Sequence, residues 1–249
     1  MIAVDLEMPR LAAEALAERE GFARRVAAVP YERKGVLYSE MFFCWLCARS
    51  VAPRRVLESG RARGQSTLLL SLCFPEAEII SIEHDRASPD VAVAAQRLVG
   101  RANVRQLFGD AMAMLPRLAQ EGDVAVIDGP KGHRALRLAI RLLATGKVPV
   151  VFLHDASPGS PERRFLAAWM PGALYSDDAR FAAVAHSLDA AARDHIPPAN
   201  RWDGHGPAAG YGFSLACLPW RRGTDYRLAL AAAAWDGLRH RLSRRGAHG

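Results

Sequence analysis

Apolar residues in this chain come as short unbroken runs, and the stretches between them repeat their apolar positions with the period of a helix turn. Runs centred on 56–57, 79–82, 123–127 and 148–153 read as buried strands, and the mixed stretch 103–107 as a short third strand. Between them 65–74, 89–99, 111–120 and 134–144 carry helical patterns, the third containing Pro116. Strict β-α alternation of this kind predicts an α/β fold with a mostly parallel sheet and helices on both faces. Ahead of the first strand, 1–29 has the periodicity of an accessory helix that Pro30 ends. A second helix is expected over 40–50, with Ser39 as its N-cap and Pro53 beyond its end. After residue 155 the pattern predicts a helix over 161–169, a sixth strand over 180–187 and a last strand over 211–218. The proline- and glycine-bearing segment 189–210 reads as a long loop, either a cover for a binding pocket or an unstructured insertion. The organisation expected is an accessory helix over 1–34, one α/β domain over 35–218 and a basic helical tail over 219–249.

Composition narrows the class. A chain of 249 residues with 50% hydrophobic content can fill two core layers in one domain. Its apolar runs fall short of the roughly 18 residues of a membrane span, and MIAVDLEMPR lacks the basic start and apolar stretch of an export signal. The expectation is a soluble, unexported, cytoplasmic protein with no membrane partner. Cys44, Cys47, Cys73 and Cys217 lie inside apolar segments and read as reduced core thiols. The formal charge is +7, but seven arginines against two aspartates after residue 218 account for +5 of it. That makes the excess a feature of the tail, and nucleic acid is not an expected partner.

The candidate chemistry begins in the turn after the first strand, LESGRARGQST. A dinucleotide-type G-x-G-x-x-G register would place Gly60, Ala62 and Gln65, and the bulk of Gln65 at the third position argues against it. An acid followed by small residues at alternate positions is met by Glu58, Gly60, Ala62 and Gly64. Glu83 then ends the second strand, 19 positions after Gly64; Gly109-Asp110-Ala111 follows the third, and VAVIDGPK (124–131) forms and follows the fourth. Over about residues 35–155 this ordered set resembles the class I S-adenosylmethionine-dependent methyltransferases. The resemblance implies a Rossmann-like, seven-stranded, mostly parallel sheet with S-adenosylmethionine as cofactor. It also implies that Glu58 meets the ammonium group, backbone around Gly60, Ala62 and Gly64 the carboxylate end, Glu83 the ribose hydroxyls, and Asp110 the adenine amino group. Asp110 is also well placed to cap the helix after it. Arg61 and Arg63 depart from the pattern, as solvated loop-tip residues or as partners of the methionine carboxylate or an acidic acceptor.

Asp128-Gly129-Pro130-Lys131 matches the D-x-x-K of the metal-dependent catechol and caffeoyl-coenzyme A O-methyltransferases. There the match implies Asp128 as a ligand of Mg²⁺ or another divalent cation and Lys131 as the base. The fifth strand ends in His154-Asp155, where those families have an acid followed by an acid or asparagine. Asp155 is then the second metal ligand, and His154 a further catalytic base or a ligand for a softer metal. IDGPKGH with VVFLHDA is similar to segments of glucuronoxylan 4-O-methyltransferases, and LESGRARGQST with IEHD to cephalosporin-cluster and sugar O-methyltransferases. These resemblances imply methyl transfer to a hydroxyl on a small molecule or saccharide, by a protein that could act as a homodimer. Two other readings stay open: a nicotinamide-dependent oxidoreductase on the same topology, and a non-catalytic binding protein whose basic tail contacts RNA or protein.

Overall fold

The computed structural model describes residues 4–32, 35–195 and 214–246. Seven strands form one sheet: β1 (Arg55–Ser59), β2 (Glu78–Glu83), β3 (Val104–Phe108), β4 (Val124–Ile127), β5 (Val150–Leu153), β6 (Leu174–Tyr175) and β7 (Ala216–Pro219), in the order β3-β2-β1-β4-β5-β7-β6. The first five are parallel, and β7 runs antiparallel to both of its neighbours. Apolar side chains from neighbouring strand positions supply two separate cores, because successive residues of a strand face opposite ways. Val56, Val124, Val150 and Phe152 enter one, and Leu57, Ala125, Val151 and Leu153 the other. β4, β5 and β7 are therefore apolar at every position, while β1, β2 and β3 also carry polar residues such as Glu58, Ser81 and Gln106.

The first core is covered by α1 (Met8–Val26), α2 (Tyr38–Arg49), α3 (Gln65–Cys73) and α8 (Ala179–Ala185), with α4 (Asp90–Arg97) beside α3. An aromatic knot holds this layer: Phe22 of α1 and Phe42 of α2 have ring centroids 4.8 Å apart, and Phe181 of α8 sits 5.8 Å from Phe42 and 5.1 Å from Phe43. The second core is covered by α5 (Ala111–Leu118), α6 (His133–Ala144), α7 (Pro161–Trp169) and α9 (Tyr226–Gly246), the last lying along α6. All four cysteines are buried and free. Among the described residues no helix is long and apolar enough to cross a membrane.

Two expectations are corrected. Residues 180–187 do not form the sixth strand; that position belongs to the two-residue β6, and 179–185 is α8. The Asp178 carboxylate accepts the Arg180 N–H at 3.0 Å and starts the helix, while Phe181, Ala182 and Ala185 turn to one side, a spacing of one helical face. Ser39 is not an N-cap. It lies inside α2, whose first turn is closed by Glu40 accepting the Leu37 N–H at 3.0 Å and by Asp189 accepting the Ser39 N–H at 3.1 Å. Asp189 comes from a 3-10 segment, His186–His195, at the start of the expected loop. The remainder of that loop, 196–210, and the first three residues of the expected last strand lie outside the described residues.

Burial beside Glu40 raises the Asp189 carboxyl from an ordinary 3.8 to about 7, against the pull of the Ser39 N–H. Between those values the folded chain holds a proton that the unfolded chain has released, so this group's contribution to stability falls as pH rises from about 4 to about 7 and then levels off. Asp189→Asn keeps an acceptor for Ser39 and removes the titration. Urea unfolding at several pH values should show the variant gaining on the native chain with rising pH, to a lead of about 1–4 kcal/mol by pH 8. Parallel profiles would contradict this account.

Candidate active site

The site forms where the strand order reverses, between β1 and β4, at their carboxyl ends. There the chain after β1 must turn within contact distance of the chain after β4. The Asp128 and Gly129 N–H groups donate to the Ser59 carbonyl at 2.9 and 3.1 Å, and the Ser59 hydroxyl donates to the Gly129 carbonyl. Gly60 takes φ = 87°, and a Cβ there would stand 2.6 Å from the Gly129 nitrogen. No other residue fits that approach. Gly64, at φ = 77°, opens α3.

Beside this contact lies a cavity of about 330 Å³. Gly60, Ala62 and Glu83 form one wall, Asp128, Lys131 and His154 another, and Tyr31, Gly35, Leu37 and Glu40 close it from the segment leading into α2. Glu83 is fixed in place, accepting from the Ala62 N–H at 2.8 Å and the His84 N–H at 2.7 Å. These bonds leave its carboxylate with lone pairs for further donors.

The opposite wall is a compact charge cluster. Lys131 Nζ lies 2.5 Å from Asp128 Oδ1 and 2.6 Å from Asp155 Oδ2, bridging the two carboxylates. His154 Nδ1 is 2.9 Å from Asp128 Oδ1 and 3.0 Å from Asp155 Oδ1, while its Nε2 is 3.3 Å from Glu40 Oε2. Asp155 reaches back to the cluster from a left-handed turn, φ = 61°, at the end of β5. Burial opposes each of these charges, but their mutual attraction prevails. Asp128 and Asp155 fall below the ordinary aspartate value, Lys131 is raised, and Asp128, Glu40 and Asp155 hold His154 well above the usual histidine value. Both candidate bases are thus protonated at neutral pH in this arrangement. An oxygen of each aspartate and a ring nitrogen of His154 all lie within 4.8 Å of one another, a donor set that fits a divalent cation.

Two assigned positions sit elsewhere. The Glu58 carboxylate does not reach the cavity, because it accepts hydroxyls from Ser66 at 2.6 Å, Thr67 at 2.5 Å and Ser81 at 2.5 Å and is fully buried. It pins α3 to β1 and β2 rather than facing a ligand's ammonium group; burial raises its carboxyl despite those hydroxyls and Arg61. Asp110 caps α5, accepting the Met112 N–H at 2.9 Å, and does not line the cavity. The two loop arginines both find partners within the chain, Arg61 in the interior and Arg63 half-exposed. Arg61 is buried, donates to the Ser81 carbonyl at 2.8 Å and lies over the Phe108 ring, and Arg63 pairs with Glu32 and Asp90. Gln65 does not obstruct the packing of α3 on β1; its side chain lies against Gly35, where even a Cβ would collide with it.

Glu40 was missed. It is a buried carboxylate on the cavity wall, and its Oε1 has no hydrogen-bond partner. The signal was in plain view: a lone acid in the otherwise apolar run YSEMFFCWLCA.

Gly60→Ala should shift the two turns apart. The expected cost is about 1–3 kcal/mol of stability, read by chemical denaturation, together with loss of any ligand that the crevice holds. A variant as stable as the native chain would show that the contact between the turns is looser than described.

No family model and no curated protein matches the chain. Solved structures do. The O-methyltransferase TomG from Streptomyces achromogenes, in complex with S-adenosylmethionine, is 20% identical over 88% of this chain and 92% of its own, with a TM-score of 0.50. Cofactor-bound Rv0187 from MTB gives 24% identity over 84% and 91%, with a TM-score of 0.43. The SAH-bound Podospora anserina methyltransferase PaMTH1 gives 17% over 89% and 100%, with a TM-score of 0.44. With the strand order and the antiparallel β7, the first of these establishes the architecture: the chain has the Rossmann-like fold of the class I methyltransferases.

Proposed function

We propose that the protein is an S-adenosylmethionine-dependent methyltransferase that methylates a hydroxyl on a small molecule or saccharide, assisted by a divalent cation. The observation that carries this reading is one crevice with two unlike walls: a glycine turn with a fixed carboxylate on one side, and an acidic and basic cluster on the other. An adenosyl amino acid has a ribose diol and a charged amino-acid end but no phosphate. Glu83, already held by two N–H groups, suits the diol, and the main chain of Gly60 and Ala62 suits close approach. Glu40 is the buried carboxylate nearest to hand for a cationic end, since Glu58 is engaged by three hydroxyls.

Methyl transfer needs the acceptor oxygen aligned with the methyl group and its proton removed. Asp128, Asp155 and His154 would hold the cation, which when bound lowers the pKa of a coordinated hydroxyl. Lys131 owes its raised pKa to the same carboxylates, so a cation that draws Asp128 and Asp155 away would leave it able to take the proton; were the aspartates alone to hold the cation, His154 would be the second candidate.

Calorimetric titration of the native chain with S-adenosylhomocysteine should show one site, weakened roughly 10- to 100-fold by Glu83→Ala. Folded protein that gives no heat with this ligand, but binds reduced nicotinamide cofactor, would transfer the site to the oxidoreductase reading. Mn²⁺ titration followed by electron paramagnetic resonance reads the other wall. Asp155→Ala should abolish binding, and Lys131→Met, by removing the ammonium that bridges the carboxylates, should tighten it roughly three- to tenfold. Weaker binding in Lys131→Met would contradict the assignment of both carboxylates to the cation.

A further inference from the structure

Helix α9 packs by one side only, and its opposite side is apolar too. Tyr226, Ala229, Ala233 and Gly237 are buried on the side toward α6, Gly237 so closely that a Cβ there would stand 3.0 Å from that of His133. Turning through about 100° per residue, the helix brings Leu228, Ala231, Trp235, Leu238 and Leu242 into one arc of about 80°, centred opposite that buried side. The four large side chains are 55%, 62%, 45% and 58% exposed. A helix with only its inner side to satisfy is polar here. Exposed arginines stand at both rims of the arc, Arg227 on one and Arg239 on the other, each about 20° beyond its edge. Past Arg239 the surface continues onto α7, across a groove of about 520 Å³ that Trp235 and Arg239 share with the exposed Arg164 and with Trp169, itself 39% exposed. Acid is absent from the arc. Asp236, the one acid of α9, stands on the flank toward α6, 3.0 Å from His133 Nε2. Asp225 caps the first turn, accepting the Arg227 and Leu228 N–H groups at 3.0 and 2.9 Å.

We propose that this face docks on the surface of an anionic lipid bilayer. Helix α9 then lies in the plane of the headgroups, with its leucines and Trp235 at the acyl boundary and Arg227, Arg239 and Arg164 on lipid phosphates. An apolar stripe flanked on both sides by cations, all on one helix, is the pattern of a helix that lies in a membrane interface. Tryptophan, with Trp169 beside Trp235, is the side chain that suits the boundary between acyl chains and headgroups. Two other occupants satisfy only half of this pattern. A second copy of the chain would cover the leucines, but it would bring more arginine to the rims and no acid to meet it. A nucleic acid strand would meet the arginines and leave the leucines against sugar and phosphate. The stripe runs about 21 Å from Leu228 to Leu242 at 1.5 Å per residue. Residues 219–249, with seven arginines against two aspartates, add attraction toward negative headgroups within a Debye length of the surface. The short apolar runs that argue against a membrane span do not bear on this mode, since lying on a surface needs no span.

Flotation of the full chain with lipid vesicles tests this. The native chain should float with vesicles of phosphatidylcholine and phosphatidylglycerol, and its partition should fall roughly tenfold or more on phosphatidylcholine alone. The double variant Trp235→Glu with Leu238→Glu should lower partition into the mixed vesicles roughly 100-fold. It should keep the native far-ultraviolet circular dichroism, because both residues lie off the buried side. Arg227→Gln with Arg239→Gln spares the apolar stripe; it should lower partition roughly 10- to 30-fold on the mixed vesicles and leave the weak partition into phosphatidylcholine unaltered. A native chain that does not float with the mixed vesicles overturns the proposal, whether it is monomeric, dimeric through this face or bound to single-stranded RNA instead. So does flotation that either double variant retains at native strength.

Discussion

The whole site depends on two backbone turns being allowed to touch. Where the strand order reverses, the turn after β4 donates two N–H groups to the Ser59 carbonyl at the end of β1, and Gly60 lies against Gly129 with no room for a side chain. That contact sets the distance between the wall carrying Glu83 and the wall carrying Asp128, which makes it the part on which the crevice is hung. Glu58 stiffens the same region from behind. Its three hydroxyl partners tie the start of α3 to β1 and β2, and the cost of burying a carboxylate is offset locally by those bonds.

On the opposite wall, one set of charges would serve both stability and the proposed chemistry. Lys131 and His154 stand between Asp128, Asp155 and Glu40, and each charge is tolerated because of the others. Under the proposed function the same arrangement would keep the bases inert until the carboxylates are drawn elsewhere, making protonation and cation binding alternative ways of satisfying Asp128 and Asp155. His154 differs from its acidic neighbours in offering a nitrogen, and Glu40 holds the far side of its ring in the manner of a carboxylate that orients a histidine ligand.

Much of this was legible in the sequence, for identifiable reasons. Strands buried on both faces leave unbroken apolar runs, and a turn that must approach another main chain leaves glycine at fixed spacing, so β1 to β5, Gly60, Glu83, Asp128, Lys131, His154 and Asp155 could be placed beforehand. Misreadings came where tertiary contacts decide. FAAVAHS fits either a strand or a helix by apolar content, and the Asp178 cap together with Phe42 and Phe43 chose the helix. Glu58 carries the spacing of a ligand-binding acid, but hydroxyls at 66, 67 and 81 engage it first. Arg61 was expected either in solvent or on an acidic group; an aromatic ring and a carbonyl made burial acceptable instead. Glu40 stood out locally as a lone acid in an apolar run, but its pairing with His154, 114 positions away, is a tertiary contact that no local pattern carries.

The central claim is that this crevice receives an adenosyl amino acid between its two walls. A crystal structure of the chain with S-adenosylhomocysteine and Mn²⁺ tests it most directly. The account predicts the ribose hydroxyls on Glu83, main chain of Gly60 against the amino-acid end, and an anomalous peak between Asp128 and Asp155. Ligand bound elsewhere, or a crevice closed at Gly60 with both aspartates still held by Lys131, would contradict it.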